Sequence, residues 1–316
     1  MEDIIKLLHK GYTLEQVAEK LQKPAATIRS GLISKYPLPK LQKTVGVELE
    51  GFSTLGYSGV INALKKQGID IQFRDWQEQS LTGITNWTLT TDGTVKGFPG
   101  QSGQKGMEIV SPPLSSLETL QKVVEAIRDG EVMGGMHHRF KINRTCGLHV
   151  HVGTQGMDKV TLEKVYTVYR ILESYLDLML SESRGFNDTH CKTIHSLSFK
   201  EAILSTTTKY WSVRTKVERP TIEFRKHQAS TSFHRIQYWI LILQQIILYA
   251  EKNTMVSILK NKPSFAYLYE VLSNPNLIAY FNARRKTFED KKEVELPKNY
   301  LEKVSNDLHK RLMEGN

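Results

Sequence analysis

The sequence predicts an α+β protein in which a sheet turns one polar, metal-binding face outward and packs helices on the other, preceded by a small all-α helix-turn-helix-like domain. Three observations carry this expectation. Residues 1–36 show helical patterning alone, and from Val45 onward alternating apolar and polar stretches interleave with helical ones. Several of those strands then carry carboxylate, imidazole or guanidinium on one face and aliphatic residues on the other.

In chain order, EDIIKLLHKG, TLEQVAEKL and PAATIRSGLISKY read as three short helices. Thr13 suits an N-cap, and Pro24 suits a first turn. The second and third resemble a helix-turn-helix, with Ala18, Leu21, Ile28 and Leu32 inward and Thr27, Arg29 and Ser30 outward. Either contact with nucleic acid or a docking or oligomerisation role fits that segment. Two prolines two residues apart in Tyr36-Pro37-Leu38-Pro39-Lys40 stop the third helix, so residues 37–44 read as a linker. Residues 45–316 form the larger domain.

Within it, strands are expected at VGVELEGFS, WTLTTDGTV, GMEIVSP, LHVHVG and PTIEFRKH. Helices are expected at YSGVINALKKQG, at SSLETLQKVVEAIRDG with a Ser115/Glu118 capping box, at MDKVTLEKVYTVYRILESYLDLML and at RIQYWILILQQIILYAEK. Two more close the chain near 264–273 and 297–312. The Gly-rich, basic run 131–145 reads as a mobile loop. The apolar run 238–250 is interrupted by Gln244 and Gln245 and falls short of the ~20 residues of a membrane span, so it reads as a buried helix.

A net charge of +10 and an isoelectric point near 9.3 point to an anionic partner. Two cysteines, Cys146 and Cys191, exclude a disulfide framework or a Cys-rich zinc module and fit a reducing cytoplasm, and the amino terminus is too polar for a secretory signal.

Side-chain alternation then assigns faces. Val45, Val47 and Leu49 share one side of the first strand, and Glu48 and Glu50 the other. Leu148, Val150 and Val152 oppose His149 and His151, while Ile222 and Phe224 oppose Glu223, Arg225 and His227. Glu108 lies between Met107 and Ile109, and Asp92 follows WTLTT at a strand end. Carboxylates crowded on one surface repel unless a cation neutralises them. Oxygen ligands select a hard ion, Mg²⁺ or Mn²⁺, and the histidines tilt the choice towards Mn²⁺. Arg225 on the same face could grip a phosphate or carboxylate. His137, His138, Arg139 and Arg144 could close over phosphates as a lid or form a solvated basic loop. This grouping suits phosphoryl transfer from a nucleotide. Neither GxxxxGK[ST] nor GxGxxG after a strand occurs, so nucleotide binding must work through metals and loop cations.

"VGVELEGF", "TDGT", "EIVSPPL", "CGLHVHVG" and "TIEFRKHQAS…IQYWI", in that order, resemble the amidoligases of the glutamine synthetase-like carboxylate–amine ligase superfamily, from about Val45 to Tyr249. The resemblance implies a curved antiparallel sheet, ATP and Mg²⁺ (or Mn²⁺) as cofactors, and amide formation through an acyl phosphate. It also implies Glu48, Glu50, Glu108, Glu223 and one or both of His149 and His151 as metal ligands. Arg225 would stabilise the acyl phosphate or hold the substrate carboxylate, and Asp92 would lie near the amine or its metal. Arg214 joins Arg139 and Arg144 as a nucleotide-binding candidate. Substrates would be a carboxylate and an amine on an amino acid, peptide or protein, selected by loops in 53–86, 131–145 and 183–215. Two alternatives remain open on the residues alone: a zinc-dependent amide hydrolase built on His149, His151 and a carboxylate, and a ligand-sensing DNA-binding regulator.

Overall fold

A computed structural model of the chain describes residues 1–75, 84–100, 102–185, 191–194, 197–198, 210–216, 219–289 and 298–313. Parts of 53–86 and 183–215, the segments expected from the sequence to select substrates, lie outside these residues. Seven strands are present: β1 (Val45–Ser53), β2 (Ile71–Phe73), β3 (Trp87–Thr91), β4 (Lys105–Val110), β5 (Gly147–Gly153), β6 (Val213–Lys216) and β7 (Arg219–Gln228). The helices are α1 (Glu2–His9), α2 (Leu14–Leu21), α3 (Ala25–Lys35), α4 (Gly56–Lys66), α5 (Glu118–Arg128), α6 (Lys159–Asp177), α7 (Phe233–Lys252), α8 (Met255–Leu259), α9 (Phe265–Leu272), α10 (Pro275–Glu289) and α11 (Lys298–Met313). The chain divides into two compact units, one of Leu41–Gln155 with Thr206–Ile240 and one of Met1–Lys40, Gly156–Ser205 and Leu241–Asn316.

The first unit holds a single sheet in the order β2-β3-β4-β1-β5-β7-β6, antiparallel throughout except for the parallel β2–β3 pair. The five strands expected from alternation are there; β2 and β6 are additional, short, and at the two edges. One sheet face is a core of Val45, Val47, Leu49, Leu89, Met107, Ile109, Leu148, Val150, Val152, Ile222 and Phe224, all buried. Helix α4 packs on β2, β3 and β4 and against α5, burying Val60, Ala63, Leu64, Leu120, Val123 and Val124. The expected Ser115/Glu118 capping box does not form. The N-cap is Leu117, so Glu118 is the first helical residue rather than the third and cannot reach back to cap.

In the second unit, Thr13 caps α2 as expected. Its hydroxyl accepts from the Gln16 amide at 3.3 Å, and Gln16 Oε1 accepts from the Thr13 amide at 2.9 Å. Gln22, left-handed at φ 51°, ends α2, and α3 follows Pro24. Ile28 and Leu32 are buried, whereas Thr27, Arg29 and Ser30 are exposed. Helix α10 was not expected from the sequence, and it is what these helices pack on. Asn276 Nδ2 donates to the carbonyls of Leu32 and Tyr36, Asn282 Nδ2 to those of Leu8 and Tyr12 (2.9 and 3.0 Å), and Arg285 to that of Gly11. The carbonyls left open at the ends of α1 and α3 are therefore satisfied from α10 rather than by water. Asn282→Ala strips two backbone acceptors and the Tyr269 hydroxyl of their partner in a buried setting. A loss of about 2–4 kcal/mol in urea denaturation is expected, and a loss under 1 kcal/mol would show that water replaces the amide.

Among the described residues no helix is long and apolar enough to cross a membrane. Residues 238–250 lie in α7, largely buried as expected.

Candidate metal centre

The second face of the sheet gathers the polar residues of β4, β1, β5, β7 and β6. Register does the work. Glu50 stands opposite Glu108, Glu48 opposite His149, His151 opposite Glu223, and Glu223 opposite Arg214. Partners paired across antiparallel strands share a face, so these side chains form a continuous row. Glu48, Glu50, His149, His151 and Glu223 are all buried.

Glu48 is the hub. Its Oε2 lies 3.1 Å from His149 Nδ1, and its Oε1 lies 3.1 Å from His151 Nε2. His149 Nε2 is 3.3 Å from Glu50 Oε1, and its Nδ1 is 3.9 Å from both Glu108 and Glu223. Glu50 Oε2 also accepts the Gly147 amide at 2.6 Å, which fixes its carboxylate at the entry of β5. On the far side Arg225 donates to Glu223 Oε1, and Arg214 Nε donates to Glu223 Oε2 at 2.7 Å.

Electrostatics divides these acids into two kinds. Burial works against the charge of Glu48, but the His151 and His149 imidazoles outweigh it and hold the carboxyl well below its ordinary range. Glu223 is likewise lowered against its burial, by His151 and the guanidinia of Arg225 and Arg214. Glu108 goes the other way, pushed well above the usual range by burial and then by Glu48, Glu50 and Asp92. Desolvation works against the charge of the half-buried Arg225 guanidinium, but Glu223 and Glu48 outweigh it and hold the group more firmly protonated.

A divalent cation answers this surplus of negative charge, and the donor geometry fits one. Two groups, Glu48–His151–Glu223 and Glu48–Glu108–His149, each offer three ligand atoms within 4.8 Å of one another. Adjacent ligands of an octahedral ion bound at 2.0–2.1 Å lie about 3 Å apart, as the two Glu48–histidine separations do. The buried Nε2 of His151 lacks a hydrogen-bond partner although Glu48 Oε1 is 3.1 Å away. That of His149 also lacks one but faces Glu50, outside both groups, while His149 Nδ1, the nitrogen near Glu48 and Glu108, is hydrogen-bonded to Glu48 Oε2. At His151 the two atoms are near but misaligned for hydrogen bonding, as suits ligands aimed at a common point.

Asp92 stays at the margin, where its Oδ1 accepts from the amide and hydroxyl of Thr94 at 2.7 and 2.6 Å. Arg139 and Arg144 are exposed on the 131–145 segment. That segment lies against β1 at Gly51, where a Cβ would come within 2.8 Å of the Lys141 carbonyl and closer still to the Phe140 ring. His227 is a correction. The pairing Leu148↔His227 followed by Val150↔Phe224 shows a bulge in β7 opposite His149, which inverts the alternation beyond it. His227 therefore turns to the apolar face and packs on Trp239, the ring centroids 5.2 Å apart and the planes tilted by 40°. Cys146 is buried at the strand entry, as a small packing residue should be. Sequence reasoning passed over Thr221, whose hydroxyl lies 3.2 Å from His151 Nδ1, and Thr90, buried opposite Glu108 with no partner for its hydroxyl. Both sit two residues from acids that were singled out, and period-two counting reaches them.

A family model described as "Putative amidoligase enzyme" matches residues 41–216, more than half of the 316-residue chain. The chain belongs to the amidoligase family. The match places this amidoligase among ligase-type enzymes, whose substrates are in general a carboxylate and an amine. It encloses Glu48, Glu50, Asp92, Glu108, Arg139, Arg144, His149, His151 and Arg214, and ends before Glu223 and Arg225 on β7. Among solved structures, the chain is similar to one titled "Crystal structure of novel glutamine synthase homolog", at 12% identity and a TM-score of 0.43, over 91% of this chain and 74% of that one. No curated protein matches it.

Proposed function

We propose that this amidoligase is an ATP- and Mg²⁺- or Mn²⁺-dependent carboxylate–amine ligase, forming an amide or isopeptide bond through an acyl phosphate. The observation that carries the reading is Glu48, which turns one oxygen to each of two buried histidines inside a group of carboxylates flanked by guanidinia. Glu48, Glu108 and His149 hold one ion, and Glu48, His151 and Glu223 a second, with Glu50 backing His149. When bound, such ions neutralise the oxygens of a transferring phosphoryl group. Arg225 keeps fixed positive charge beside Glu223, where a substrate carboxylate or its phosphorylated form is held. A carboxylate oxygen attacks the γ-phosphorus and ADP leaves; the amine nitrogen then attacks the acyl carbon, phosphate leaves, and the amine gives up a proton. Asp92, next to Glu108, serves the amine, and Arg139, Arg144 and Arg214 serve the nucleotide phosphates. A zinc hydrolase fits less well, because it has no use for so many carboxylates or for two guanidinia. The cytoplasm, with ATP and a reducing poise, is the compartment that fits two buried thiols outside any disulfide.

Calorimetry with ATP, with and without Mg²⁺, tests the reading, and metal-dependent binding is the expected result. Absence of ATP binding under either metal overturns it. Titration with Mn²⁺ alone is expected to show two ions per chain, His151→Gln losing one of them. A single ion, unaffected by His151→Gln, would sink the paired-site assignment.

Residues 1–36 carry a second reading, nucleic-acid contact through α3, favoured by the exposure of Thr27, Arg29 and Ser30 beyond the left-handed turn at Gln22. Arg29 and Glu15 approach to 3.5 Å on that surface. Duplex binding should weaken steeply with salt if phosphates are contacted; salt-independent binding, or none, leaves a docking module.

A further inference from the structure

His151 has two ring nitrogens, and only one of them can be a metal ligand. Nε2 is buried 3.1 Å from Glu48 Oε1, yet the two are not aligned for a hydrogen bond. Nδ1 lies 3.2 Å from the Thr221 hydroxyl. Thr221 is two residues before Glu223 on β7, on the same face and diagonal to His151 across the β5–β7 ladder, where it is paired with Gly153. The Thr221 hydroxyl can donate to Nδ1 or accept from it, but with an ion on Nε2 the ring proton is left on Nδ1 and the hydroxyl is the acceptor that would hold it there. Nε2, 3.1 Å from Glu48 Oε1, is then the nitrogen left for the ion.

His149 has no such support. Its Nδ1 faces Glu48 at 3.1 Å and the Arg225 guanidinium at 3.5 Å, groups that belong to the cluster itself. Among the described residues, the Thr221 hydroxyl is thus a contact to a cluster histidine from a side chain that is neither acid nor cation.

We propose that Thr221 is a positioning residue: its hydroxyl holds the His151 proton on Nδ1 and so readies Nε2 as a ligand of the Glu48–His151–Glu223 ion. This rests on the metal reading of the site given above. A partner that fixes a metal-binding histidine in this way typically governs affinity by about 10-fold to 100-fold without touching the ion.

The test uses the full chain and two readouts. In ¹⁵N-histidine-labelled protein without metal, long-range ¹H–¹⁵N correlation reads the His151 tautomer, the signal being assigned by its loss in His151→Gln. Mn²⁺ alone, titrated by calorimetry, reads the site. Wild type and Thr221→Ser are expected to show the Nδ1–H tautomer and the same Mn²⁺ affinities. Thr221→Val, of equal shape but without the hydroxyl, should lose the Nδ1–H preference and weaken one of the two Mn²⁺ sites by about 10-fold or more. A Thr221→Val protein with the wild-type tautomer overturns the proposal, and so does a Thr221→Ser protein that behaves like Thr221→Val. Failure of the wild type to bind Mn²⁺ would overturn the metal reading instead, while the metal-free spectra still decide what Thr221 does to His151.

Discussion

Glu48→Gln is expected to empty both metal sites at once, which no other single substitution in the cluster should do. The reason is the sharing of one carboxylate: Oε2 faces His149 and Oε1 faces His151, so both groups of three ligands contain it. Glutamine keeps the shape but offers one weak oxygen donor and an amide that repels a cation. His151→Gln removes a ligand from one group only, and Glu50→Gln from neither, since Glu50 is in neither triad. In the wild type, Mn²⁺ at 100 times its dissociation constant should stabilise the fold by about 2.7 kcal/mol per site. Glu48→Gln should show no metal-dependent rise in Tm, and its ATP-dependent turnover should fall by at least about 10³-fold, equivalent to roughly 4 kcal/mol of lost charge stabilisation. Thermal melts with and without Mn²⁺ read the first effect without knowledge of either substrate. A Glu48→Gln protein whose Tm still climbs with Mn²⁺ would remove the hub from the site.

The membership of this cluster was legible because side-chain direction along a strand follows from counting by two. Val45, Val47 and Leu49 in β1 and Leu148, Val150 and Val152 in β5 alternate without a break, so Glu48, Glu50, His149 and His151 had to emerge opposite them. Their pairing was not legible, because register depends on strands far apart in sequence. Nothing within CGLHVHVG says that His149 meets Glu48 rather than Glu50. His227 shows where counting fails: two residues of β7 crowd opposite His149, and every side chain beyond the bulge changes face. Strands β2 and β6 were missed because three or four residues at an edge carry too little alternation. Helix α10 was missed for a different reason. Its inward face holds Asn276, Asn282 and Arg284 among the apolar residues, which breaks the hydrophobic period, and the two asparagines are there to satisfy carbonyls of α1 and α3.

Arg225→Lys separates the charge of this residue from its shape. Both side chains are cationic, but the guanidinium presents several donors in one plane and the ammonium a single point. Arg225 spends one nitrogen on Glu223 Oε1, comes within 3.5 Å of His149 Nδ1, and keeps its buried Nε without a partner. A donor that is dehydrated and unused costs free energy in the resting protein, and an anion laid against it recovers that cost. Lysine preserves the pairing with Glu223, so the fold and the Mn²⁺ stoichiometry should survive. ATP-dependent turnover should nevertheless fall by about 10²–10³-fold, as when a placed donor to a developing charge is removed. Arg225→Ala is expected to behave differently, because removing one partner of a buried ion pair costs about 3–5 kcal/mol of stability. If Arg225→Lys consumed ATP at the wild-type rate while Arg225→Ala only lost stability, the guanidinium would be holding Glu223 in place and nothing more. The acyl phosphate would then have to be stabilised from Arg214, whose Nε already donates to the other oxygen of the same carboxylate.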